Sequence, residues 1–133
     1  MKPVFADTFF FLAAINTSDK CHDLAIAWSD AYDGPLLTTA WIITEVADAL
    51  AGLPHRHVFK EFHATLVEDQ RMRIIPPEPR LWERGLKLYL DRPDKEWSLT
   101  DCISFTVMKD EGLAESLTGD HHFEQAGFAA LLK

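Results

Sequence analysis

Short apolar segments that read as β-strands recur between helical patterns along the chain, and this alternation is the strongest constraint on the fold. It argues for an α/β fold. The pattern predicts strands at Pro3 to Ala6, Leu36 to Thr38, Met72 to Ile75, Ser116 to Thr118 and Ala129 to Leu132. Between them, helices are expected over Thr8 to Asn16, Cys21 to Ala31, Ala40 to Leu50, His55 to Asp69, Pro76 to Leu90 and Leu99 to Asp110, with one turn at His122 to Ala126. Asp33-Gly34-Pro35 ends the second helix, Gly52 and Pro54 follow the third, and Pro76-Pro77-Glu78-Pro79 opens the fifth. Leu24, Ala25, Trp28 and Tyr32 mark an apolar face on the second helix, as Val58, Phe59, Phe62 and Leu66 do on the fourth. With 133 residues, 47% of them hydrophobic, and no repeat or linker, one domain over residues 1–133 is expected.

A formal charge of -8, from 21 acidic and 13 basic residues, argues against a nucleic-acid track spread over the whole surface. The bases concentrate in the middle of the chain, at Arg56, Lys60, Arg71, Arg73, Arg80, Arg84 and Lys87, where they are candidates for the rim of a substrate groove or for ordinary ion pairs. Cys21 and Cys102 form no CxxC pair or disulfide framework, which fits a reducing cytosol. The apolar run from Phe9 to Ile15 is too short for a signal peptide, and no segment approaches the roughly 20 apolar residues that span a bilayer. A soluble, cytoplasmic protein with no membrane partner is expected.

Four acids fall in segments that should pack together: Asp7, Glu45, Asp101 and Asp120. Residues 3–19, 36–55, 98–108 and 110–132 contain no lysine or arginine. Asp7 closes the first strand and Asp120 follows the fourth, so both sit at carboxyl ends of parallel strands, where open α/β sheets bind ligands. Glu45 lies on its helix beside the apolar stripe of Trp41, Ile42 and Ala49, and Asp101 is in the first turn of its helix. Buried carboxylates repel one another unless a positive charge neutralises them, and a divalent ion is the available one. Oxygen ligands without thiolates point to Mg²⁺ or Mn²⁺, and thus to phosphoryl-transfer chemistry. Each acid also has a plainer reading. Ser98-Leu99-Thr100-Asp101 has capping-box spacing, Asp7 can cap the first helix, Gly119-Asp120 can be a turn, and Glu45 can be a solvated helix residue. His121-His122 reads as a surface pair, and His55-Arg56-His57 lacks the further ligands a zinc site needs. Cys102 is expected to be buried, and Phe9, Phe10, Phe11, Trp28, Trp41 and Phe105 to be core or subunit interface.

The chain resembles PIN-domain ribonucleases, and within them the small VapC-type toxins of bacterial and archaeal toxin–antitoxin pairs. The residues that carry the resemblance are Val4-Phe5-Ala6-Asp7-Thr8, Thr44-Glu45-Val46, Ser98-Leu99-Thr100-Asp101-Cys102-Ile103-Ser104-Phe105 and Leu117-Thr118-Gly119-Asp120-His121-His122-Phe123, in that order. It implies a PIN-like three-layer α/β sandwich, a central, mainly parallel sheet flanked by helices, in which Asp7, Glu45, Asp101 and Asp120 bind Mg²⁺ or Mn²⁺ and hydrolyse RNA, with Thr8, Ser104 and Thr118 as supporting polar groups. It further implies a cognate antitoxin and a homodimer. One ion or two is left open. Two rival classes remain at this point. A phosphoacceptor receiver domain shares the size and the alternation, but its paired acids after the first strand and its lysine after the last main strand are missing here. A PIN-like module without catalysis, acting through protein contacts, is the other.

Overall fold

The computed structural model describes residues 1–133. Its elements run β1 (Val4–Ala6), α1 (Thr8–Ile15), α2 (His22–Ala31), β2 (Leu36–Thr39), α3 (Ala40–Ala49), α4 (Arg56–Glu68), β3 (Met72–Ile75), α5 (Pro79–Asp91), α6 (Leu99–Glu111), β4 (Glu115–Leu117), α7 (His121–Gln125) and β5 (Ala129–Ala130). The five strands form one sheet in the order β3-β2-β1-β4-β5, every pair parallel. β1 and β2 are buried at every residue, as strands covered by helices on both faces must be. After β1 the chain adds β2 and β3 on one side and then crosses to place β4 on the other, so β1 and β4 flank the reversal of strand order where such sheets form ligand crevices. Receiver domains use the order 2-1-3-4-5. The present order removes that rival.

Element limits depart from the sequence expectation by small, explicable amounts. The fifth helix begins at Pro79 and not at Pro76, because a residue that precedes proline is driven out of the helical region and Ile75, Pro76 and Glu78 all do. β5 is two residues long, although Leu131 and Leu132 still donate their amides to Ser116 and Thr118 carbonyls beside β4. The expected apolar face of α2 is only partly covered. Ala25 is buried, Trp28 and Tyr32 stack at 4.5 Å in half-buried positions, and Leu24 is exposed. Arg71 is not a rim residue. Its guanidinium bonds Asp69 and donates to the carbonyls of Ser29 and Tyr32, tying the end of α2 to the start of β3.

One hydrophobic cluster of 24 buried residues underlies the sheet. Within it, Phe105 on α6 meets Trp97 and Phe123 edge-on at 5.1 and 5.0 Å, and Phe123 on α7 reaches Phe5 on β1 at 6.3 Å. Such tilted aromatic contacts add about 0.5–1.5 kcal/mol each beyond area burial. Trp97 Nε1 also donates to Gln125 Oε1 at 3.0 Å, which pins the segment before α6 to α7. These contacts lock together the elements that carry Asp7, Asp101 and Asp120.

α5 crosses α6 at Gly85, where a Cβ would stand 2.3 Å from Ile103 Cγ1 and 3.1 Å from its Cα. Gly85→Ala gains about 1 kcal/mol of helix propensity but meets backbone, an overpacking of about 1–3 kcal/mol. The expected result is a net loss of stability in urea unfolding. A gain would show that the two helices can separate freely. No helix is long and apolar enough to cross a membrane.

Candidate active site

Asp7 leaves β1 in extended conformation and occupies the N-cap position of α1, yet its side chain makes no capping hydrogen bond. The carboxylate turns instead toward β4, where Thr118 Oγ1 donates to Asp7 Oδ2 at 2.8 Å. The same hydroxyl accepts from the backbone N–H of Asp120 at 3.0 Å, so one threonine fixes both acids at the carboxyl ends of β1 and β4. Gly119 between them has no room for a side chain, since a Cβ would lie 2.5 Å from the Phe9 ring. Thr8 Oγ1 donates to Glu45 Oε1 at 2.5 Å, drawing α3 to the start of α1.

Asp101 closes a full capping box. Its Oδ2 accepts from the Ser98 amide at 3.1 Å, while Ser98 Oγ accepts from the Asp101 amide at 3.0 Å. Asp120 caps α7 through its Oδ1, which accepts from the His122 amide at 2.9 Å. The plain capping reading is therefore correct for Asp101 and incorrect for Asp7, while Asp120, read plainly as part of a turn, is the N-cap of α7. Capping engages one oxygen of each carboxylate. Asp7, Asp101 and Asp120 each keep the other oxygen free of hydrogen bonds.

The electrostatics show that the acids converge. Asp7, only 5% exposed, has its pKa pushed up to about 7, mainly by burial and further by Asp101 and Glu45, against the opposing Thr118 hydroxyl. Burial likewise raises Glu45, with Asp101 adding to it and Thr8 opposing, and raises Asp101, with the Ser98 amide opposing and Asp120 adding. Asp120 thus joins the group through Asp101 and through Thr118. No lysine or arginine forms an ion pair with any of the four. Three buried or half-buried carboxylates with free oxygens and no cation make a donor set suited to a hard divalent ion. The group of three possible ligand residues whose atoms all lie within 4.8 Å of one another is Asp120, His121 and His122, which shares only Asp120 with the four acids. Its closeness follows from three consecutive residues in one turn, whereas the unfavourable burial falls on Asp7.

Other sequence expectations fare unevenly. Thr8 and Thr118 bond acids of the group. Ser104 is fully buried one turn along α6 from Asp101, and its hydroxyl has no partner. The surface-pair reading of His121-His122 holds for His121, whose side chain is 62% exposed, but not for His122 at 19%. The ring of His122 places Nδ1 3.1 Å from Asp120 Oδ1 and 3.6 Å from Asp101 Oδ2. Sequence reasoning missed this contact, although an Asx turn at Asp120 is the signal that folds the residue two positions on back over the carboxylate. Of the proposed rim bases, Arg73, Arg84 and Lys87 pair with Glu111, Asp110 and Asp91, leaving Arg56, Lys60 and Arg80 without an acidic partner. A cavity of about 560 Å³ between the ends of α1 and α3 and the start of α4 contains none of the four acids.

A search of curated proteins by sequence finds no significant match. Among solved structures, the VapC20 toxin of Mycobacterium tuberculosis, a sarcin-ricin loop cleaving toxin, superimposes with a TM-score of 0.86 at 22% identity, over 95% of this chain and 96% of that one. FitAcB from Neisseria gonorrhoeae does so with a TM-score of 0.66 at 19% identity, over 96% and 94%. At these identities the likeness is one of fold, but the family model for the PIN domain matches residues 4–129 directly, running from the start of β1 into β5 and including every acid of the group. The chain belongs to the PIN domain family.

Proposed function

We propose that this protein is a metal-dependent endoribonuclease and the toxin of a toxin–antitoxin pair, with Asp7, Glu45, Asp101 and Asp120 as the residues that hold Mg²⁺ or Mn²⁺. The observation that carries the reading is Asp7, buried against other carboxylates with no lysine or arginine to neutralise it. In this scheme Asp7 and Asp101 are direct ligands, Glu45 ligates directly or through a water, and Asp120 completes the site. A bound ion would supply positive charge to the scissile phosphate and acidify the attacking water. The protein's own part is orientation. Thr118 and Thr8 hold one oxygen each of Asp7 and Glu45, the capping bonds hold one each of Asp101 and Asp120, and the opposite oxygens of Asp7, Asp101 and Asp120 stay available. Ser104, with its unpartnered buried hydroxyl, is the third supporting polar group. Lys60, and Arg56, whose guanidinium donates to the Ala51 carbonyl, have no acidic partner and are available to an RNA backbone.

VapC20, which shares this fold, is a sarcin-ricin loop cleaving toxin, so ribosomal RNA is the first substrate to try. Purified protein should cleave it in Mg²⁺ or Mn²⁺, stop on addition of chelator, and resume when the metal is returned. Equal cleavage with and without chelator counts against the scheme, and no cleavage under any metal leaves the PIN-like binding module as the reading. The antitoxin is expected to reach the acids with an arginine or lysine, in competition with the metal. The apolar surfaces of α1 and α3 supply a homodimer contact. Light scattering should then give twice the 15.1 kDa of one chain, and a single-chain mass at working concentration would remove the dimer.

A further inference from the structure

We infer that the cavity of about 460 Å³ beside the end of α5 is a subsite for one unpaired nucleotide of the RNA, its base stacked on Tyr89 and its phosphate met by Lys95; this rests on the nuclease reading given above and deepens it. The walls include Tyr89 from α5 and Arg92, Pro93, Lys95, Trp97 and Ser98 from the segment that leads to α6. Ser98 joins the cavity to the acids, because its amide donates to Asp101 Oδ2 at 3.1 Å. A strand whose scissile phosphate lies at an ion held by Asp101 therefore has this cavity beside it, on the Ser98 side. The volume falls in the range of sites that enclose a small ligand.

The wall is fixed before any ligand arrives, which lowers the entropic cost of binding. Trp97 is buried, meets Phe105 edge-on at 5.1 Å and donates to Gln125. The Arg92 guanidinium lies 5.1 Å from the Trp97 ring centre and is bound through Nε and Nη2 to the two oxygens of Asp94, so these two charges neutralise each other. Lys95 Nζ stands 5.9 Å from the same ring and forms no ion pair, which leaves its ammonium available to a phosphate. Glu96 also lines the cavity and balances that charge, so ion pairing brings little net attraction and stacking must supply most of the recognition. Tyr89 is placed for it, in the last turn of α5 and 45% exposed. Every base presents a π-face to such a ring, and proteins hold single strands in this way. A duplex keeps its bases stacked within the helix, so the occupant is an unpaired nucleotide.

The test is cleavage kinetics on a single-stranded RNA oligonucleotide spanning the bond that wild type cuts in cellular RNA, with Tyr89→Ala, Tyr89→Phe and Lys95→Ala, and circular dichroism to confirm folding. Loss of a stacking platform costs about five- to hundredfold in affinity. KM is expected to rise by that factor in Tyr89→Ala and to stay within a few-fold of wild type in Tyr89→Phe, which keeps the ring. Oligonucleotides with one abasic nucleotide, moved along the strand, locate the base: wild type should lose a similar factor at one position beside the cut, and Tyr89→Ala nothing further there. Lys95→Ala should lower the slope of log(1/KM) against log salt by about 0.7, the share of one single-strand phosphate contact. Wild-type KM in Tyr89→Ala, or an abasic profile that Tyr89→Ala leaves unchanged, overturns the subsite while leaving the nuclease intact. If that result comes with a fall of Tyr89→Ala to single-chain mass in light scattering, the face belongs to a second copy. An unchanged salt slope in Lys95→Ala overturns the phosphate contact. A wild type that cleaves no RNA overturns both readings. Should Tyr89→Ala not fold, Tyr89→Leu, which keeps bulk and loses the ring, takes its place.

Discussion

Asp7→Asn is expected to lower metal-dependent RNA cleavage by about a thousandfold or more, and to make the metal-free protein more stable at the same time. The substitution keeps shape and keeps an oxygen to accept from Thr118 Oγ1, so the local fold has no reason to change. What disappears is one negative charge. If Asp7 holds the ion, the loss removes several kcal/mol of transition-state stabilisation, and each 1.36 kcal/mol is tenfold in rate. Stability should move the other way, because the buried charge and its repulsion by Asp101 and Glu45 oppose folding when no metal is present. Sites that are strained for function commonly show this trade. Initial rates on ribosomal RNA and thermal melts in chelator at about pH 8 measure the two halves. Full activity would remove Asp7 from the mechanism, and a lowered melting temperature would show that its charge serves the fold.

The metal-free protein is also expected to lose stability as pH rises from about 5 to about 8. Asp7 sits near an ordinary 3.8 when unfolded and is pushed up to about 7 in the fold, so the folded state retains a proton that the unfolded chain releases. The stability linked to that proton is complete below the unfolded value, declines as pH rises through the interval, and is gone once the folded value is passed. Between about pH 5 and the folded value near 7 this corresponds to a loss on the order of 3 kcal/mol. Glu45 and Asp101 are shifted upward too and act in the same sense. Asp69 and Asp110, held below the ordinary range by hydrogen bonds from Arg71 and Arg84, act in the opposite sense, but only at more acid pH. Urea unfolding in chelator at the two pH values reads the loss directly. Added Mg²⁺ or Mn²⁺ binds the ionised form, so its stabilising effect should be larger at about pH 8 than at about pH 5. A flat pH profile without metal would show that Asp7 ionises freely in the fold.

How far the sequence carried the structure depends on whether the controlling interaction is local. The capping box at Ser98 and Asp101 is a spacing rule and was legible at once. So was the strand at Met72 to Ile75, bounded by Arg71 and by prolines. Strand order was not, because nothing local says that β4 lies beside β1 and not beside β3. That information resides in which helical faces cover the sheet. In the same way Arg71 looked like one more surface base, and only the docking of α2 against the start of β3 brings the Ser29 and Tyr32 carbonyls within its reach. The four acids could be selected from their cation-poor surroundings, yet the unequal burial that singles out Asp7 is a tertiary property. His122 was misjudged because the direction of its ring depends on where the buried Phe123 anchors α7.

The Thr118 hydroxyl reaches Asp7 across 111 residues of chain, and β4 must lie against β1 before it can do so. A polypeptide still growing on the ribosome therefore carries Asp7 with no pocket around it until the segment near Thr118 has emerged. Synthesis itself thus imposes a delay, and under the reading proposed above a cell making this protein faces an active nuclease only after the segment around Thr118 has been made and folded against β1.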